Sequence, residues 1–306
     1  MKNIIKIPSV TRDDRIGSVF NHLFYVINEC EKLDGNIVWN FMDSPTLHPF
    51  FIFPLAIYRN SLMKRVALCH ENECLSLRSY LNVVHFYDFL EVNSRDQIET
   101  VLSAYEGKSY TPICKFDMRY KDIDGMQTIV ESLIAKQVSI GAQLRGSISY
   151  MFSELICNMQ EHSDAKSGYL FSQYIRRDRC LYIGLADDGI TIYGSYVKTG
   201  KHLEKIKESV GQEEARALSL AKEGYSTKDL PEAENRGYGI SSNTKMVVKG
   251  LGGSFFLFSG GAFNREEGDV NKTITLPESI RWDGTIILVK IPVEPKENFN
   301  YYNYIR

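Results

Sequence analysis

Hydrophobic and polar positions along the chain form short unbroken apolar runs and longer stretches in which apolar residues recur every three to five positions. The first pattern suits buried strands and the second suits helices. After the turn signal Asp34-Gly35, the run Asn36–Phe41 is rich in branched and aromatic residues and predicts a buried strand. A helix follows, the stretch Phe50–Leu62 is apolar enough to pack on a sheet, and Leu81–Phe86 reads as another strand. Polar residues cluster at Ser94–Gln97 and Glu106–Lys108, which places a domain boundary within 95–115 and divides the chain into 1–110 and 111–306.

Between Gly125 and Ser163 there is no proline, and Ile129, Leu133, Val138, Leu144, Ile148, Phe152, Leu155 and Met159 keep a helical spacing. Two strands are expected at Gly168–Tyr174 and Leu181–Ala186, joined by a charged turn at Arg176–Arg179. Residues 190–236 are polar and glycine-punctuated with no strong periodicity, the pattern of an irregular functional lid. Ile240–Lys249 then predicts a helix capped by Gly250, and Ser254–Ser259 and Thr285–Pro292 predict closing strands. The alternation as a whole predicts an α/β protein of two domains.

Composition narrows the function classes. In the 306 residues, 36 basic and 38 acidic side chains leave a formal net charge of -2, so no global positive field attracts nucleic acid or an anionic membrane. No apolar run reaches the roughly 18 residues of a membrane span, and Met1–Lys6 lacks the features of a signal peptide, so a cytoplasmic location is expected. The six cysteines are too scattered for a disulfide framework. Cys69-His70-Glu71-Asn72-Glu73-Cys74 offers metal ligands without a second Cys or His pair to complete them, and ordinary buried thiols are the alternative.

Candidate chemistry lies in the second half. Glu154, Asn158 and His162 are spaced by four, so a helix projects all three from one face. A carboxylate, an amide and an imidazole so stacked could hold a hydrated divalent cation and orient a nucleophile; a solvated stripe is the alternative. Asp187-Asp188-Gly189 follows a predicted strand, where a carboxylate can accept a hydrogen bond from an exocyclic amine and glycine admits a ligand to the backbone. Asn235-Arg236-Gly237-Tyr238-Gly239 precedes the predicted helix from Ile240, a setting for phosphates. Asp283-Gly284-Thr285 opens the last strand and supplies a hydroxyl.

In this order and these settings the segments resemble the boxes of the histidine-kinase, gyrase and heat-shock-chaperone ATPase superfamily, over roughly Ser153 to Pro292. The resemblance implies a two-layer α/β sandwich with a mixed sheet (the Bergerat ATP-binding fold), beside a smaller amino-terminal α/β domain. It implies ATP and magnesium as ligands. By resemblance, Asn158 would coordinate the metal, His162 would lie along the nucleotide, and Asp187 with Gly189 and Thr285 would form the adenine side. Gly237 and Gly239 would hug the phosphates, Lys228 or Arg236 from the lid would approach the terminal one, and Glu154 would polarise the attacking water or hydroxyl.

The pattern Asp-x-Gly-x-Gly of that superfamily here reads Asp187-Asp188-Gly189-Ile190-Thr191, so its second glycine is absent. No histidine occurs between Gly125 and Gln160, which disfavours a histidine autokinase. The closer likeness is to anti-sigma serine kinases and stand-alone ATPase modules. The expected activity is ATP hydrolysis driving a regulatory switch, with phosphorylation of a serine or threonine on a separate partner, or non-catalytic nucleotide binding, as the alternatives. A protein partner or self-association is expected with either. The first domain faintly resembles STAS domains, with His48-Pro49-Phe50 where those place an aspartate and a phosphoacceptor serine.

Overall fold

The computed structural model describes residues 3–11, 13–118, 132, 134, 138–227, 239–295 and 297–304. The chain forms two units, Met1–Leu90 with Pro277–Ile280, and Glu91–Leu276 with Arg281–Arg306. The first unit thus borrows four residues from late in the chain, and Ser279 Oγ donates to Asn28 Oδ1 at 2.6 Å within it.

Three parallel strands, β1 (Asn3–Lys6), β2 (Ile37–Asn40) and β3 (Leu68–Glu71), form the sheet of the first unit in that order. Parallel neighbours need long crossovers, and α1 (Ile16–Glu31) and α2 (Pro49–Leu62) supply them. Helix α2 begins where its sequence dictates: His48 accepts from Phe50 N at 3.1 Å, and Pro49 occupies the first turn, where a missing N–H costs nothing. Trp39, Phe41, Phe50, Phe51 and Phe53 fill the core. The strand expected over Leu81–Phe86 is instead the end of α3 (Leu75–Val83) and a turn. Leu77 and Leu81 bury one helical face, and His85 at φ 57° reverses the chain before Phe86. Cys69 and Cys74 are exposed rather than buried, and among the described residues no group of three His, Cys, Asp or Glu could hold a metal ion.

Next come β4 (Leu90–Glu91) and α4 (Arg95–Ala104), the latter capped by Ser94, which accepts from Gln97 N. The second sheet adds β5 (Cys114–Asp117), β6 (Ser167–Ile175), β7 (Cys180–Asp187), β8 (Ser254–Gly260), β9 (Ala262–Glu267), β10 (Val270–Thr275) and β11 (Trp282–Pro292). Its order is β10-β9-β8-β11-β7-β6-β5-β4, antiparallel from β10 through β5. Both strand directions therefore occur in this mixed α/β molecule.

The helix read from Gly125 onward is α5 (Ala142–His162), with Gly141 at its N-cap; Ile129 and Leu133 lie outside the described residues. Ile156 and Met159 of α5 and Phe116, Leu170 and Leu185 of the sheet surround one small apolar space. Of the segment 190–236 read as irregular, 228–236 lies outside the described residues and 190–227 is largely helical, forming α6 (Ile192–Thr199), α7 (Leu203–Lys207) and α8 (Glu213–Glu223). Each of these helices is too short to show a periodicity, and Gly200 and Gly224 are left-handed C-caps rather than marks of a loop. Among the described residues, helix α9 spans Gly239–Lys245 and continues as a π-turn, Met246–Gly250. Gly250 is therefore inside the helix, and the left-handed residue after it is Gly252 at φ 71°. No helix among the described residues is long and apolar enough to cross a membrane.

Candidate functional site

Register across the sheet builds the floor of the site. Asp187 at the end of β7 pairs with Thr285 of β11, and Thr285 pairs with Ser259 of β8. Directly opposed residues share a face, so three polar side chains form one row across three central strands. The row is joined by hydrogen bonds: Ser259 Oγ and Thr285 Oγ1 are 3.0 Å apart, and Ser259 Oγ lies 2.9 Å from the Gly284 carbonyl. Ile192 N donates to Ser259 Oγ at 2.9 Å, which ties the start of α6 to the same row.

Asp187 is 2% exposed, and its Oδ1 accepts from Gly189 N at 3.0 Å. Burial pushes its carboxyl up to about 7, opposed by the backbone N–H groups of Gly189 and Thr285 and reinforced by the charge of Asp188. Asp188 serves another purpose, accepting from Lys166 N and Ser167 N at 2.9 and 2.7 Å where β6 begins. The two adjacent carboxylates thus serve different segments, because Asp187 ends β7 and Asp188 lies in the bend that follows.

Glycines bring the walls together. A methyl group at Gly189 would lie 2.0 Å from the Ser163 carbonyl oxygen, and Ile190 N donates to that same oxygen at 2.5 Å. The end of α5 is thereby pinned beside Asp187. A methyl group at Gly239 would lie 2.6 Å from Asn158 Nδ2 and 2.9 Å from Glu154 Oε2, so the start of α9 rests on the polar stripe of α5. His162 Nδ1 and Thr227 Oγ1 share a hydrogen bond of 2.8 Å, and Thr227 continues to Ser195 Oγ at 3.0 Å. Tyr196 donates to the Tyr225 carbonyl at 2.5 Å, holding the same segment against α6.

These elements enclose a cleft of about 840 Å³ including its open mouth, lined by Glu154, Asn158, His162, Asp187, Gly239 and Thr285. Six of the residues singled out in the sequence therefore share one cavity. Gly189 acts behind it through its backbone, and Lys228, Arg236 and Gly237 lie outside the described residues. Apolar walls come from Met159, Ile190, Ile192, Tyr196, Tyr225 and Ile287. Sequence reasoning missed Ser195 and Ser259, whose roles depend on cross-strand register and helix docking and leave no local signal. Thr191 replaces the second glycine of the expected motif and is the N-cap of α6, accepting from Gly194 N at 2.9 Å. Comparison of the chain with family models, with curated proteins and with solved structures finds no match.

Proposed function

We propose that the second unit binds ATP with magnesium in this cleft, in the manner of a Bergerat ATP-binding fold, and acts as a regulatory ATPase. The observation that carries the reading is the convergence of Asp187, Asn158 and Gly239, from three distant stretches, on one cleft.

The residues fit the ligand in three respects. Asp187 presents a buried carboxyl at the floor, suited to accept from the exocyclic amine of adenine, while Ile190, Ile192, Tyr196 and Ile287 offer apolar surface for a ring. Asn158 supplies an amide oxygen of the hard type that magnesium takes. Gly239, lacking a side chain, lets the backbone approach Asn158 and Glu154 closely, where phosphates would meet it. Magnesium ATP, when bound, brings an activated terminal phosphoryl group; Glu154 on the same helical face orients and deprotonates the attacking water.

Titration calorimetry tests this directly. Wild-type protein should bind magnesium ATP, and Asp187→Ala should weaken it about tenfold to a hundredfold through loss of a charge-assisted hydrogen bond worth roughly 1.5 to 3 kcal/mol. Equal affinity in the variant removes the adenine assignment, and no heat or thermal shift with wild type removes the function.

One observation favours a second reading, in which the nucleotide is a structural ligand without turnover. Thr191 starts a helix where the superfamily pattern has a flexible glycine, so this wall of the cleft is regular structure. Binding without release of inorganic phosphate would select this reading.

A further inference from the structure

Helices α5 and α9 lie side by side in opposite directions, and contacts fix them at three levels. Gly239 meets Glu154 and Asn158 at the site. One turn earlier on α5, Ser242 lies beside Tyr150. At the far end, Gly146 of α5 and Gly250 of the π-turn both face the C-terminal aromatic turn.

That turn is a built structure. Asn300 caps it by accepting from Tyr302 N at 3.1 Å, and Tyr301 N donates to Gln143 Oε1 of α5 at 3.4 Å. Phe299 and Tyr304 stack at 6.1 Å, and the rings of Tyr301 and Tyr302 lie tilted with centroids 4.2 Å apart. A methyl group at position 146 would lie 2.7 Å from the Tyr301 ring, and one at position 250 would lie 2.8 Å from Phe299 and 3.0 Å from Tyr304. Both helices therefore carry glycine where an aromatic ring seats on the backbone.

Helix α9 needs such support. It passes into a π-turn, a poorer hydrogen-bonding geometry, and buried Asn243 leaves both polar side-chain atoms without a partner among the described residues. Its hydrogen bonding is thus imperfect, although Gly239 must sit against Asn158 for the site to exist.

We propose that the aromatic turn Phe299–Tyr304 is a positioning element for the candidate site, setting the separation of α9 from α5 and thus of Gly239 from Glu154 and Asn158. The effect on nucleotide rests on the function proposed above; the effect on α9 does not.

Amide hydrogen exchange on the full chain without nucleotide tests the second part. Tyr301→Ala should speed exchange over 239–245 by about tenfold, Tyr301→Phe should match wild type, and Gly250→Ala, which displaces the rings from the other side, should reproduce the loss. Nucleotide affinity should fall several-fold in Tyr301→Ala and return in Tyr301→Phe. Unchanged exchange over 239–245 in both Tyr301→Ala and Gly250→Ala overturns the proposal. If Tyr301→Ala does not fold, Gly250→Ala decides. Wild type that binds no nucleotide overturns the function proposed for the cleft, and the exchange result still decides the role of the turn.

Discussion

Gly239 stands so close to Asn158 that a methyl group on it would fall 2.6 Å from the amide nitrogen. The colliding atoms are the ends of mobile side chains, so the fold can accommodate alanine by moving Asn158 and Glu154. Gly239→Ala should therefore weaken nucleotide binding at least tenfold while changing stability by less than about 1 kcal/mol. Calorimetry beside urea denaturation separates the two effects, and intact affinity would show that these side chains need not stay where they are.

The carboxyl of Asp187 gives a pH dependence of defined sign. Its value is pushed from 3.8 up to about 7 in the folded protein, whereas the unfolded chain ionises near the lower figure. The folded state binds the extra proton between these limits, so stability from this group is complete below about pH 4 and lost as pH rises through about 7. The span corresponds to about 4 kcal/mol at 1.36 kcal/mol per unit. Denaturation of wild type and Asp187→Asn at pH 5 and pH 8 should show a steeper decline in wild type. Parallel declines would mean that the carboxyl ionises freely.

Gly284 has φ +84°, and a methyl group there would lie 2.2 Å from the Asp187 carbonyl oxygen. Gly268 has φ +58° with open space around it. Gly284→Ala should cost about 3 kcal/mol or more and Gly268→Ala about 1 kcal/mol, because only the first adds a collision to backbone strain. Similar midpoint shifts for the two would deny the close approach of β11 to β7.

Glu154→Gln keeps the shape of the stripe and removes its base. Release of phosphate should fall about a hundredfold or more, with nucleotide affinity within roughly twofold of wild type. Full turnover in the variant would assign the chemistry to another group.

The stripe on α5 was legible because helical periodicity is local: spacing by four puts Glu154, Asn158 and His162 on one face whatever else the chain does. The hairpin of β6 and β7 was legible for the same reason, as was the strand Ile37–Asn40. The α3 ending was misread because a few apolar residues near a turn fit either period. The helices between 192 and 223 were hidden because five to eleven residues carry little periodic signal and their stability comes from packing, as in the cluster of Tyr196, Ile206, Ala217 and Leu220.

By itself, then, the sequence determined the residue types and local faces from which a site could be made, since these follow from backbone geometry within a few residues. Only the tertiary structure decided that Asp187, Thr285 and Ser259 share a row, that Gly239 rests on Asn158, and that a C-terminal aromatic turn seats against Gly146 and Gly250. Those relationships depend on strand register and on close approach between distant segments, which are settled by the packing of the whole unit.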